Sequence, residues 1–362
     1  MTWLVWRLSR AHLLVAAIAV GGLAILAALT GPHLATLYQE NVAKCRTGDG
    51  CAAAAAWLAG QDGPLRVWLG IGVVVIPALI GMFWGAPMVA GELEEGTFRL
   101  AWTQSVSRTR WLVARLAGAG LAGVTVAGLV SLVVTWWASP LDRAGMNQFG
   151  TFDQRGVVAV GYAAFGFALG AAAGALIRRT LPAMLSTLVV FVAARLAFDA
   201  LVRPGLMTPV TESLALDPGS TGYGSAGFLP LASAPNLMPN PPDIPNGWVT
   251  SIGIVDGHGS ALTSGELNRI CPGIGTGHPG GGPGGAGLGT GLGSGGSHVQ
   301  VPQSAVLGMQ HCVARVGLTF HEVVTYQPAG RYWPLQWYEL AIYLAAAAAL
   351  TAACVCLVRR IG

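Results

Sequence analysis

Residues 67–111 read VWLGIGVVVIPALIGMFWGAPMVAGELEEGTFRLAWTQSVSRTRW. The stretch Val67–Val89 carries no charge. At about 1.5 Å of rise per helical residue it is long enough to cross a hydrocarbon core of about 30 Å. It runs directly into three carboxylates, Glu92, Glu94 and Glu95, then three arginines, Arg99, Arg108 and Arg110, and a second apolar run starts at Leu112. This is the pattern of two spans joined by a charged corner, and the rest of the chain repeats it.

The 362 residues are 53% hydrophobic and only 10% charged, against about a quarter charged in a soluble domain. Six stretches qualify as spans: Ala11–Leu29, Val67–Val89, Leu112–Ala138, Val157–Ile177, Leu181–Leu201 and Leu335–Val358. The alternative, buried helices of a large soluble core, does not fit six long runs with almost no internal charge. The expected fold class is an all-α polytopic membrane protein. It has six transmembrane helices and a large Gly/Pro-rich extracytoplasmic loop between helices five and six. Its parts are 1–201 (spans one to five, with the corner at about 91–110), 202–334 (the loop region, low-complexity over 273–297) and 335–362 (span six and tail). The first residues resemble a signal peptide, but the apolar run continues to Leu29 without a convincing A-x-A site, so it is read as retained. MTWLVWRLSR, residues 1–10, reads either as a short amphipathic surface helix or as a plain basic flank.

Arg7 and Arg10, Arg99, Arg108, Arg110 and Arg115, Arg178 and Arg179, and Arg359 and Arg360 all fall on one side if the N-terminus is inside. The positive-inside rule then expects both termini in the cytoplasm. Trp136, Trp137, Trp333, Trp337 and Tyr338 are expected at the opposite, headgroup level.

Several function classes are excluded. Lys44 is the single lysine and lies outside any G-x-x-x-x-G-K-[ST] pattern, so the chain has no Walker A loop. His321–Thr325 reads H-E-x-x-T rather than H-E-x-x-H, and His258, His278 and His298 lack ligand spacing, so no metal site is expected. There is no G-x-S-x-G and no nucleic-acid-binding pattern. Four cysteines, Cys45, Cys51, Cys271 and Cys312, lie in the segments assigned outside, where disulfides are permitted. The obvious pairings are Cys45–Cys51 and Cys271–Cys312.

Within the corner, Gly96 stops the second span's helix, Thr97 caps a short helix Phe98–Gln104 with Leu100 and Trp102 on its apolar side, and Ser107 caps the third span. The E-x-E-x-G-T of Glu92, Glu94, Gly96 and Thr97, followed by TQSVSR and a membrane-bound helix, resembles the permease subunits of type-2 ABC transporters, particularly actinobacterial-like ones. The six-span plan matches as well, although the loop between spans five and six is longer than in that family.

The resemblance implies a membrane-spanning permease of an ABC exporter in the plasma membrane, pairing with a second permease copy and with a separate ABC ATPase. ATP and Mg would be bound by that partner, with no cofactor and no catalysis in this chain. The coupling residues would be Glu92, Glu94, Glu95, Gly96, Thr97, Phe98, Arg99, Leu100 and Trp102. Glu92, Glu94 and Glu95 would pair with basic residues of the ATPase or with Arg7, Arg10 or Arg99 nearby, and the bland alternative for the three acids is a solvated helix end without a partner. For the whole chain it is a non-transporting membrane anchor or sensor whose outer loop binds a ligand or partner. An ion-driven secondary transporter would need more intramembrane acids than Asp199.

Arg195 and Asp199, one helical turn apart, read either as lining of a transport pathway or as a pair near the outer interface. Gly166, Gly170 and Gly174 form a stripe that allows close helix approach, a pattern an Ala/Gly-rich chain also produces by chance. Pro77 is expected to kink the second span, and Pro182 to mark a helix start.

Overall fold

Six helical segments of the computed structural model are long and apolar enough to cross a membrane: Ala16–Asn41, Gly63–Glu94, Leu112–Arg143, Gln148–Ile177, Thr180–Gly205 and Ala329–Arg360. The structure describes residues 2–45, 49–61, 63–95, 108–145, 147–216, 244, 247–272 and 311–361. The short helix expected at Phe98–Gln104 and the low-complexity run 273–297 lie outside these residues. The chain divides into two units, Met1–Thr208 with Pro328–Gly362, and Pro209–Gln327.

In the first unit, α1 (Thr2–Asn41) runs unbroken, so residues 2–10 belong to the same helix as the first span, Ala16–Asn41. Helix α2 (Asp49–Gln61) follows. The second span is α3 (Gly63–Leu79), a π-helical stretch Ile80–Gly85, and α4 (Ala86–Glu95). The third is α5 (Arg108–Arg143) and the fourth α6 (Val158–Ile177), which is preceded by a 3-10 turn, Gln148–Gln154. The fifth is α7 (Thr180–Ala197), continued by a π turn Phe198–Val202 and a 3-10 turn Arg203–Gly205. The sixth is the helix Tyr332–Ile361. The observed helices outrun several of the apolar stretches because charged and aromatic residues at the ends still satisfy their backbone groups within the helix.

Helix α6 is the centre of this unit. Thirteen of its residues are buried, including Tyr162, Phe165 and Phe167, whereas Leu132 on α5 and Val189 on α7 are 68% and 66% exposed. A membrane helix that is apolar all round and buried packs against protein on every side; the others present one face to lipid. The glycine stripe of α6 is where the second span meets it. A Cβ on Gly166 would run into the carbonyl of Pro77, one on Gly170 into the carbonyl of Gly81 and the amide of Ala86, and one on Gly174 into the carbonyl of Ala86. Reciprocally, a Cβ on Gly81 would strike the carbonyl of Gly166. The two backbones are therefore in direct contact. Pro77, which removes an N–H from the ladder, lies just before the π-helical stretch through which the second span changes register. The Arg178–Arg179 turn is as short as the sequence indicates. Arg178 takes the left-handed conformation (φ 58°) and its N–H bonds the carbonyl of Gly174. Helix α7 starts at Thr180, which leaves Pro182 in its first turn.

The second unit corrects the all-α expectation. It holds an antiparallel three-stranded sheet, order β1-β3-β2, of Val210–Leu214, Phe320–Gln327 and Trp248–Asp256. A short helix, α8 (Ser264–Ile270), is closed by a capping box between Thr263 and Glu266; the Tyr332–Ile361 helix is accordingly α9. Leu216, Ile254, Leu262, Leu267, Val313, Val316 and Phe320 form its core together with Cys271 and Cys312. Short β-branched runs flanked by Gly and Pro have too little periodicity to announce strands from the sequence, and the apolar fraction elsewhere hides them.

On β3, residues 320, 322 and 324 share the buried face, so Glu322 lies between Phe320 and Val324. It is 4% exposed, and its Oε1 is without a hydrogen bond. Burial raises its pKa above the ordinary value of 4.5. The folded form therefore holds the proton more tightly than the unfolded chain, and the stability of this unit falls as pH rises above about 4.5. Glu322→Leu removes the unsatisfied buried acceptor and is expected to stabilise the sheet by about 1–3 kcal/mol at neutral pH. The gain should shrink as pH is lowered through the carboxylate range. Hydrogen exchange of the β3 amides in the full-length protein reads both effects; faster exchange in the variant at neutral pH would contradict them.

Candidate functional site

Two of the polar sites among the described residues of the first unit are each built by spans that are distant in sequence. The first is the end of α4. Glu92 forms an ion pair with Arg115 of α5. Glu94 Oε2 accepts hydrogen bonds from the backbone N–H of Thr180 at 2.9 Å and from its hydroxyl at 2.7 Å. The first N–H groups of a helix have no partner within it, and Arg179 at the N-cap position of α7 makes no side-chain cap. Glu94 supplies that cap from another span, and its charge lies at the positive end of the α7 dipole. Two carboxylates two residues apart, and so on different sides of the second span, therefore hold the third and fifth spans. Glu95 ends α4; Gly96, Thr97, Phe98, Arg99, Leu100 and Trp102 lie outside the described residues.

The second site is a buried ionic junction that holds Arg195 and Asp199. Arg195 on α7, Asp199 in the π turn and Arg203 in the 3-10 turn follow at intervals of four residues, which sets them along one side of the fifth span. Asp153 comes from the 3-10 turn before α6, Tyr162 from α6, and Glu339 and Tyr343 from α9. Arg195 donates to Asp153 at 2.9 Å, Glu339 at 3.0 Å and the Tyr343 hydroxyl at 3.2 Å. Arg203 donates through Nε to Glu339 Oε2 and through Nη2 to Glu339 Oε1, both at 2.9 Å, and through Nη2 to Asp153 Oδ1 at 2.5 Å. Asp199 faces both guanidiniums, Arg203 at 2.8 Å and Arg195 at 3.5 Å, but its Oδ1 makes no hydrogen bond. Aromatic faces complete the enclosure, with Arg195 3.6 Å from the Tyr162 ring centroid and Arg203 4.6 Å from that of Phe152. Beside it, buried Gln336 of α9 bonds the N–H of Val158 and the carbonyls of Phe152 and Arg155, which fixes the turn that carries Asp153.

The Arg195–Asp199 pair read from the sequence exists, but it is the longest ion-pair contact that Arg195 makes. Its stronger partners, Asp153 and Glu339, lie 42 and 144 residues away. Sequence reasoning missed Asp153, Tyr162, Arg203 and Glu339. One signal was available: Glu339 is the single acid between residues 332 and 361, and an ionisable group inside a span needs a partner. Ligand oxygens of Asp153, Asp199 and Glu339 lie within 4.8 Å of one another. The two guanidiniums already supply positive charge to all three.

The four cysteines outside the spans are bonded as Cys45–Cys51 and Cys271–Cys312. Cys354 is buried near the carbonyl of Ala171, and Cys356 is exposed.

Neither a curated protein nor a solved structure matches the chain significantly. The family profile described as ABC-2 membrane transporter related matches residues 15–203, from the first span to the last arginine of the junction. With six apolar helices, an engaged carboxylate corner and this match over more than half its length, the chain is a multi-pass transporter permease, not itself catalytic, and belongs to the ABC-2 membrane transporter related family.

Proposed function

We propose that the chain is the membrane-spanning permease of an ABC exporter, driven by ATP hydrolysed on a separate ATPase subunit. It works with a second permease copy, and both termini face the cytoplasm. The observation that carries this reading is the corner between spans two and three in a chain of this family. Residues 96–107 join the end of α4 to the start of α5, and α4 is tied through Glu92 to α5 and through Glu94 to α7. A push on this segment therefore acts on the second, third and fifth spans together. Glu92 and Glu94 act inside the chain, as the joints that spread the push; Glu95 and the segment from Thr97 through Phe98, Arg99, Leu100 and Trp102 meet the ATPase. The arginines at this end, Arg110, Arg178, Arg179, Arg359 and Arg360, support its assignment to the cytoplasmic side. The same rule assigns the ionic junction, at the other end of α6, to the outer half of the bundle. The guanidinium of Arg195 donates to Asp153, Glu339 and Tyr343 of its own chain, which favours an anchor between spans over a lining of the path.

The test separates docking from anchoring. Affinity-tagged chain purified from its native membrane is expected to bring with it a P-loop ATPase and nucleotide hydrolysis. Phe98→Asp and Trp102→Asp are expected to lose the partner while leaving the thermal unfolding of the permease unchanged. Thr180→Val, which weakens the cap made by Glu94, should keep the partner but lower the unfolding temperature. Recovery of the chain without ATPase activity, or retention of the partner by both aspartate variants, overturns the proposal.

A further inference from the structure

We propose that a cleft between α3, α5 and the 3-10 turn before α6 binds the phosphate group of a membrane phospholipid. Its walls are mostly apolar: Leu69 of α3, and Val134, Trp137, Ala138 and Leu141 of α5. Its polar lining is Arg66 in the first turn of α3, Asp142 near the end of α5, and Asn147, Thr151, Gln154 and Arg155 in and beside the 3-10 turn. That turn is held in place, so the cleft is preformed. Gln154 lies so close to α3 that a Cβ on Gly70 would overlap its side chain, and Gln336 bonds the carbonyls of Phe152 and Arg155.

Two observations point to an anion. Among the described lining residues there are two guanidiniums and one carboxylate, a surplus of one positive charge. Independently of that count, Arg155 is only 5% exposed. Its Nη1 donates to Asp142 Oδ1 at 2.5 Å, but its Nε has no hydrogen-bond partner. A buried donor on a charged group is costly to leave unpaired, and such a group calls for a water or an ion. A water would satisfy the donor and leave the charge. A phosphate oxygen answers both, and the planar guanidinium fork suits it. The surroundings identify the source. Trp68 and Trp136, next in sequence to the lining residues Leu69 and Trp137, are 71% and 54% exposed, and tryptophans of spanning helices settle at the headgroup level. The apolar walls then receive the start of an acyl chain, which a free phosphate ion lacks.

The site depends on neither the ATPase nor the cargo. Full-length protein, stripped of lipid in an uncharged detergent, is followed by thermal unfolding against three probes. Dioleoyl phosphatidylglycerol is expected to raise the unfolding temperature saturably. Dioleoylglycerol, with the same chains and no phosphate, and inorganic phosphate should leave it unchanged. Arg155→Lys keeps the charge but loses Nε and the fork, and Arg66→Gln loses the second cation; each is expected to weaken the response to phosphatidylglycerol about tenfold. Arg66 is only half-buried, so its variant carries the test if Arg155→Lys does not fold. The control is Arg143→Gln, which removes an equal charge from an exposed position of α5 and should respond as the wild type does. A wild type indifferent to phosphatidylglycerol overturns the proposal, as does an equal response in the wild type and the cleft variants. Inorganic phosphate or dioleoylglycerol acting as strongly as the phospholipid, or Arg143→Gln weakened as much as Arg66→Gln, overturns it too.

Discussion

Arg203→Met is expected to cost about 3–5 kcal/mol, because truncating one side of a buried ionic arrangement strands the other. Arg203 donates to Glu339 through Nε and Nη2 and to Asp153 through Nη1 and Nη2. Methionine keeps most of the volume but none of the donors, so Glu339, wholly buried, is left with Arg195 and Tyr162 alone, and three carboxylates face one guanidinium. Glu339→Met in the Arg203→Met background then removes the stranded carboxylate. The double variant should be clearly less destabilised than the sum of the two single changes, with a coupling of about 1–3 kcal/mol. Thermal unfolding of all four proteins in the same detergent completes the cycle. Additive losses would show that the two side chains act independently and that the junction is not a unit. The contrast with Glu322 is instructive. Both glutamates are buried, but one accepts hydrogen bonds from two arginines and a tyrosine, and the other has an oxygen with no partner. Removal should be harmful in the first case and beneficial in the second, because what counts is the pairing and not the burial.

The span count and the charged corner were legible because both are written locally: a helix must satisfy its own backbone inside lipid, so twenty apolar residues announce themselves. Arg195 and Asp199 were legible as a pair because they lie one turn apart. Their real setting was not, since Asp153, Arg203 and Glu339 join them only through the packing of α6, α7 and α9, and no local period encodes that. The sheet was illegible for a different reason. In a chain where Val, Ile and Leu are common everywhere, strands of five to nine residues do not stand out from their surroundings. Glu94 lies between these cases. Its place in the corner was plain, but its bond to Thr180, 86 residues on, belongs to the fold. A reading that pairs the carboxylates of the corner with the ATPase or with nearby arginines misses it.

Gly170→Leu is expected to prevent formation of the native bundle. Overpacking a core by a few methylenes typically costs about 1–3 kcal/mol, when neighbouring side chains can shift. At Gly170 the neighbours are the carbonyl of Gly81 and the amide of Ala86, and backbone cannot change rotamer. Either α6 or the second span must move as a body, and α6 is held on its other faces by α5, α7 and α9. Helix association within lipid gains nothing from hydrophobic transfer, so the lost contact between the helices is not made good by burying the added side chain. Even Gly170→Ala should cost about 1–3 kcal/mol. The control is Gly118 on α5, where a Cβ meets nothing within 4 Å; alanine there should be neutral or stabilise by about 0.5–1 kcal/mol, the ordinary helix preference over glycine. Size-exclusion profiles and unfolding temperatures of Gly170→Leu, Gly170→Ala and Gly118→Ala rank the three. If Gly170→Ala were as stable as Gly118→Ala, the stripe on α6 would be a product of composition and not the seam along which the second and fourth spans touch.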